Sequence, residues 1–205
     1  MQKMLDVFPD TVITAASFGR NESFADVQAF ADVNNLALVR MQQRHTAAFA
    51  IITKCRPQVV QNTDALITKQ RDVLLTVKVA DCLPILFSHP SGIVGVIHAG
   101  RVGTTDGITQ ITLQTLKSKF GIEDNLTIWF GPRICKDCYQ VNKQTDEHYD
   151  LVAENAKQVQ AVFSDSQAKI LLSEHCTSCD NDQWYSYRRE GKGVAMNWFV
   201  IGVLR

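Results

Sequence analysis

Three residues far apart in the chain, His45, Cys82 and His98, carry side chains suited to chemistry. Two imidazoles and one thiolate can hold Zn²⁺. Three protein ligands leave a fourth position open, the pattern of a catalytic zinc whose bound water is activated near neutral pH. Each residue follows an apolar, strand-like run: residues 36–42 precede His45, residues 74–80 precede Asp81-Cys82, and residues 93–97 precede His98-Ala99-Gly100. Two neighbouring strands would then aim Cys82 and His98 from a rigid sheet into a cleft. Spacing alone does not select the metal, because no short His-x-x-x-His pair exists. The same residues fit a metal-free thiolate–imidazole pair of Cys82 and His98, with Asp81 or Gln43 orienting the base or an oxyanion. They also fit a buried cysteine beside two hydrogen-bonded histidines, without chemistry.

Two CxxC pairs, Cys135-Lys136-Asp137-Cys138 and Cys176-Thr177-Ser178-Cys179, suggest a second site. Such pairs mark zinc ribbons when about 15–20 residues separate them. Here the gap is longer and holds a helical segment. The spacing is consistent with a structural Zn(Cys)₄ or with four separate thiols. Neither pair opens a thioredoxin-like βα unit, which speaks against redox work. Arg188 and Arg189, flanked by Tyr185 and Tyr187, can hold phosphate and stack a base, or can form a solvated turn. Arg20, Arg101 and Arg133 each adjoin a Gly or Pro, in loops that can carry guanidinium groups to a cleft. His89, His148 and His175 read as ordinary histidines, although His175 adjoins Cys176. Neither a Walker loop nor a Rossmann glycine fingerprint is present.

The elements that must position these residues are readable in outline. Residues 12–17, 36–42, 49–53, 74–80, 93–97, 126–130, 169–172 and 194–203 have strand composition. The run 74–80, broken only by Thr76 and Lys78, reads as a strand with two unlike faces. Residues 88–92 between the two central runs have turn composition. A helix is expected from Ser23 to Asn35, with Ser23 and Asp26 as a capping pair and Phe24, Val27, Phe30, Ala31 and Val33 along one side. A second runs from Thr104 or Thr105 to Phe120, with Ile108, Ile111, Leu113, Leu116 and Phe120 on one face and Gly121 as its stop. A third covers residues 146–163. Residues 184–187 are a short strand or loop. Helices and strands mix without a βαβ rhythm, so an α+β class is expected rather than a doubly wound sheet.

The chain has 205 residues, 45% of them hydrophobic, which suits one domain over 1–205 with a sizeable core. Lys+Arg and Asp+Glu are 21 each, so bulk charge gives no reason to expect nucleic acid or an anionic membrane. No apolar run reaches the length of a membrane span, and the N-terminus is too interrupted by charge and proline for a signal peptide. A cytoplasmic protein with reduced thiols follows.

Taken in order, the motifs resemble those of the YfiH/DUF152 family, laccase-domain proteins once labelled polyphenol oxidases and now regarded as purine nucleoside-processing enzymes. The matching residues are Gln43-Arg44-His45, Asp64-Ala65-Leu66-Ile67-Thr68, Ala80-Asp81-Cys82-Leu83-Pro84-Ile85, and His98-Ala99-Gly100 with Gly103. Gly131-Pro132-Arg133-Ile134, Cys138-Tyr139-Gln140-Val141 and Ser186-Tyr187-Arg188-Arg189 complete the set. The resemblance implies an α+β fold of mixed β-sheets with flanking helices, shared with the bacterial toxin deamidases, which use a Cys–His pair as cysteine hydrolases. It implies His45, Cys82 and His98 as ligands of one catalytic zinc. It also implies phosphorolysis of adenosine, inosine, guanosine or methylthioadenosine, with adenosine deamination alongside. The expected catalytic residues are Cys82, His98, His45, Asp81 and Arg188, and the expected substrate-binding residues are Gln43, Arg20, Arg188 and Arg189. Partners would be a purine nucleoside and phosphate, in a monomer or homodimer. A second, structural zinc at Cys135, Cys138, Cys176 and Cys179 would be an embellishment. The alternatives are a metal-free Cys–His amidase or deamidase, a copper phenol oxidase and a non-enzymatic binding module. Arg101 stands where the family usually has Trp, Val102 where it has Arg, and Arg44-His45-Thr46 where it has Val-His-Gly.

Overall fold

In chain order the elements are β1 (Gln2–Lys3), β2 (Ile13–Phe18), α1 (Phe24–Val33), β3 (Ala37–Met41), β4 (Phe49–Ile52) and β5 (Gln58–Val60). Then come β6 (Ala65–Thr68), β7 (Val73–Val79), β8 (Leu83–His89), β9 (Ile93–Ala99), α2 (Arg101–Thr105) and α3 (Ile108–Phe120). After them follow β10 (Leu126–Phe130), a 3₁₀ turn (Lys136–Cys138), β11 (Gln140–Asn142), β12 (Glu147–His148), α4 (Leu151–Gln160), β13 (Ala168–Leu172), α5 (Tyr187–Glu190) and β14 (Asn197–Val203). This computed structural model describes residues 2–3, 7–8 and 12–204, so part of the N-terminal stretch read as unlike a signal peptide lies outside the described residues. No helix among them is long and apolar enough to cross a membrane.

The strands make two six-stranded mixed sheets and one short ribbon, which establishes the expected α+β class. The first sheet runs β1-β2-β14-β7-β3-β5 and the second β13-β10-β8-β9-β6-β4. They pack face to face. Val39, Leu75, Val77 and Phe199 of the first meet Leu66, Leu86, Val96 and Trp129 of the second. The outer face of the second sheet, with Ile67, Ile85, Phe87 and Ile97, is covered by Leu113 and Leu116 of α3 and Val159 of α4. Across the first sheet, Ala16, Leu38, Leu74 and Val200 are covered by Val27, Phe30 and Ala31 of α1. Adjacent strand residues point to opposite faces, so a strand buried on both sides must be apolar throughout. That overturns the two unlike faces expected of 74–80. Thr76 is buried and donates its hydroxyl to the Val39 carbonyl at 3.3 Å, and only Lys78 of β7 is not buried.

A larger correction concerns the central stretch. Residues 83–89, of which only 88 and 89 fall in the stretch of turn composition, form β8, which pairs antiparallel with β9 in the register Pro84↔His98. The runs carrying Cys82 and His98 are therefore not neighbours in one sheet, because β7 lies in the first and β9 in the second. Pro84 stands at the second residue of β8, near the strand end where proline is tolerated.

Helix starts follow their caps. Ser23 and Asp26 form the expected capping box of α1, but Val33 is 85% exposed. At 3.6 residues per turn it lies about 120° around the axis from Val27. The helix expected from 104 to 120 is split at Asp106-Gly107, with Gly107 at φ 81. Ile111 lies partly exposed, and Gly121 ends α3 in the left-handed conformation as expected. The helix expected over 146–163 starts only after Asp150, whose carboxylate accepts the Ala153 N–H, and residues 147–148 pair with β11 instead. Residues 184–187 are no strand, since Ser186 caps α5 there.

Candidate active site

His45 sits in the loop after β3, with its backbone in the left-handed region at φ 60. That loop wraps around one buried carboxylate. Asp64, just ahead of β6, accepts the backbone N–H groups of Arg44 (3.1 Å), His45 (3.0 Å) and Thr46 (2.9 Å), and the Thr46 hydroxyl at 2.9 Å. Its Oδ1 also lies 2.8 Å from His98 Nδ1. A proton on that nitrogen leaves Nε2 of His98 as the free ligand atom. Cys82 follows Asp81, whose φ of 93 turns the chain sharply between β7 and β8. The Cys82 sulfur lies 3.8 Å from His45 Nε2, and the donor atoms of His45, Cys82 and His98 all lie within 4.8 Å of one another. The structure thus brings together three residues that span 53 positions of sequence, from His45 to His98. Gly100 leaves the room for this. A Cβ there would lie 2.9 Å from His45 Cδ2 and 3.0 Å from the Cys82 sulfur.

The electrostatics of the metal-free chain are those of an ion pair. Burial pushes the Cys82 thiol up, but the facing His98 charge and hydrogen bonds from both imidazoles outweigh it and bring it to about 6. Burial pulls His98 down, while the Cys82 thiolate and the Asp64 hydrogen bond raise it to about 9. Burial also opposes ionisation of Asp64, yet the His98, Thr46 and Arg44 hydrogen bonds hold it well below the usual carboxylate range.

His45, Cys82 and His98 line a cleft of about 710 Å³, a size usual for small-molecule sites. Lys78, Arg101, Val102, Tyr139, Tyr187 and Met196 line it as well, with Gln43, Asp81 and Arg188 of the expected site residues. The Gln43 amide is used against β7, donating to the Lys78 carbonyl (2.7 Å) and accepting its N–H (3.0 Å). Asp81 accepts the Thr177 hydroxyl (2.7 Å) and the Arg188 backbone N–H (2.6 Å), so its carboxylate braces the wall. Arg188 donates to the Gln140 carbonyl at 2.8 Å and lies over the Tyr139 ring, 5.7 Å from its centroid. Arg20 and Arg189 do not line the cleft. Arg20 pairs with Glu190 at 2.5 Å and stacks on Tyr185, and Arg189 donates to the Ser178 carbonyl at 3.1 Å.

Asp64 is the residue that sequence reasoning left without a role. It opens the run 64–68, but nothing in a lone carboxylate ahead of a strand announces that it will hold the His98 ring and the backbone of residues 44–46. The donor set fits a zinc ion. Two imidazoles and one thiol converge, a carboxylate behind one ring fixes its orientation, and the cleft leaves a side open. The four cysteines of the CxxC pairs converge in the same way, their sulfurs within 4.8 Å of one another.

A family model described as multi-copper polyphenol oxidoreductase laccase matches residues 20–170. The chain is 38% identical over 172 residues to a purine nucleoside phosphorylase of Corynebacterium glutamicum, covering 75% of this chain and 70% of that protein. It is 28% identical over 196 residues to adenosine deaminase RL5 of an unknown prokaryotic organism, covering 80% and 74%. A purine nucleoside phosphorylase of Haemophilus influenzae is 29% identical over 160 residues, covering 66% of this chain and 64% of that protein. Among solved structures, YlmD from Geobacillus stearothermophilus superposes with a TM-score of 0.81 at 24% identity, over 97% of this chain and 94% of that one. A Neisseria meningitidis protein described by the DUF152 family model superposes at 0.76 with 18% identity, over 95% and 96%. These two likenesses concern the fold alone.

Proposed function

Because the chain belongs to the laccase-domain family that includes DUF152, we propose that it is a zinc-dependent purine nucleoside phosphorylase with adenosine deaminase activity. Adenosine, inosine, guanosine and methylthioadenosine are the substrates of this reading, with phosphate as co-substrate, and residues 1–205 act as one cytoplasmic unit. The observation that carries it is the convergence of His45, Cys82 and His98 on one side of a cleft large enough for a nucleoside. The names of the relatives, purine nucleoside phosphorylase and adenosine deaminase, point the same way.

Zinc held by His45, Cys82 and His98 supplies Lewis acidity and an activated water. The protein's own groups do the rest. Asp64 holds the His98 ring and the His45 loop, so neither imidazole must be ordered when substrate arrives. Tyr139 and Tyr187 offer ring faces to a purine. The cations of Arg188, Arg101 and Lys78 face the cleft and offset the charge of phosphate during glycosidic cleavage. Asp81 fixes the backbone of Arg188 and so the start of its side chain. Arg20 and Arg189 serve this reading from behind, by tying α5 to its neighbours.

The thiolate–imidazolium pair of Cys82 and His98 specifically favours a second reading, a metal-free amidase or deamidase. A copper phenol oxidase fits poorly. Among the described residues one His₂Cys group and one Cys₄ group converge, which is not the ligand supply of mononuclear plus trinuclear copper. The deciding experiment follows hypoxanthine release from inosine and phosphate by zinc-loaded protein. Release that is lost on chelation and in Cys82→Ala supports the proposal. Folded, zinc-loaded protein that releases no base from any of the four nucleosides rejects it.

A further inference from the structure

We propose that Cys135, Cys138, Cys176 and Cys179 hold a structural zinc ion that clamps together the two loops forming one wall of the cleft. This goes beyond the activity proposed above and does not depend on it.

The topology builds the site. The two CxxC turns follow β10 and β13, which are parallel neighbours in the register Phe130↔Leu172, so both loops leave the sheet at the same end. Arg133 and Cys176 continue the pairing as an isolated parallel bridge, and the Thr177 N–H donates to the Arg133 carbonyl at 3.0 Å. The 3₁₀ turn folds Cys138 back beside Cys135, and the Asp180 N–H closes the other turn on the Cys176 carbonyl at 2.8 Å. All four sulfurs then lie within 4.8 Å of one another, and Cys138 and Cys179 are 3.6 Å apart. A zinc with four Zn–S bonds of about 2.3 Å has a tetrahedral sulfur–sulfur edge of about 3.8 Å. A disulfide needs about 2.05 Å.

The surroundings suit a dianionic Zn(Cys)₄ centre. The backbone N–H of Cys135 donates to the Cys176 sulfur at 3.2 Å, as donors do to metal thiolates. The partly buried Arg133 guanidinium, anchored on the Ser173 and His175 carbonyls, contributes positive charge, and its Nε is buried without a partner. Zinc binding displaces the thiol protons to solvent, with no change of oxidation state.

What the ion would hold is the cleft wall. Tyr139, next to Cys138, faces the cleft, and the carbonyl of Gln140 receives Arg188. Thr177, next to Cys176, donates to Asp81, the neighbour of the ligand Cys82. One cation thus joins the loop that receives Arg188 to the loop that braces Asp81.

Elemental analysis of full-length wild type, Cys82→Ala and Cys138→Ser/Cys179→Ser tests this. About two zinc equivalents are expected in wild type and about one in each variant. In Cys82→Ala, chelation should raise amide exchange in residues 133–141 and 173–190 at least about ten-fold, while β8 and β9 stay protected. A folded Cys82→Ala protein holding no zinc overturns the proposal, whatever becomes of the serine variant. So does disulfide linkage of the four cysteines in place of metal. Retained zinc in Cys82→Ala, together with failure of the inosine assay, sinks the nucleoside reading and leaves this one standing.

Discussion

His98 Nδ1 and Asp64 Oδ1 meet at 2.8 Å, and both side chains are all but fully buried, at 3% and 0% exposure. The same carboxylate gathers the backbone of residues 44–46, so one acid positions two histidines that approach from different elements. Asp64→Asn should keep the fold but blur the orientation of both rings. A loss of about 10–100-fold in zinc affinity is expected, read by competition with a chromophoric chelator. Asp64→Ala should in addition lower stability by about 3 kcal/mol in denaturant titration, because buried donors lose their acceptor.

Gly100 sets the space between His45 and Cys82. Gly100→Ala should push one ligand aside by tenths of an ångström. A loss of about 10²-fold in kcat/KM for inosine is expected, with a melting temperature close to wild type. An unchanged kcat/KM would show that neither ligand had to move.

In zinc-stripped protein, Cys82 should react with iodoacetamide as a thiolate. Its value of about 6 lies well below that of an ordinary thiol, so the reactive form is present above about pH 6. The alkylation rate should climb through pH 6 and level off by about pH 7.5, where an ordinary thiol is still rising. Zinc should suppress the reaction across that range, which peptide mapping of Cys82 would resolve.

Arg188 reaches the cleft from α5, and its guanidinium lies over Tyr139. Arg188→Ala should raise the KM for phosphate about ten-fold or more, and Arg188→Lys should restore little, because lysine lacks the planar fork. Initial rates at varied phosphate and saturating inosine measure both.

The convergence of His45, Cys82 and His98 was legible in the sequence because each residue follows an apolar run, and the motifs around them are ordered as in one family. Their supports were not. Residue 64 acts through hydrogen bonds to positions 44–46 and 98, contacts that no local pattern encodes. No strand was legible at 83–87, so the sequence did not show that β8, which follows Cys82, pairs with the strand carrying His98 while the run before Cys82 lies in the facing sheet. Spacing puts Val33 and Ile111 with the apolar side of their helices, whereas both are exposed in the structure. The arginines at 20 and 189 shared a motif or a loop with the site but spend their guanidinium groups on Glu190 and on Ser178.

Strand β14 follows every other strand among the described residues, yet it sits inside its sheet, paired with β2 on one side and β7 on the other. During synthesis His45, Cys82 and His98, and every strand of the second sheet, are translated before it. Residues 197–203 must emerge before β14 can bridge β2 and β7. Until then the nascent chain exposes two unpaired β edges, on β2 and β7. A stall or truncation just short of residue 197 would leave a chain prone to pair with its neighbours through those edges.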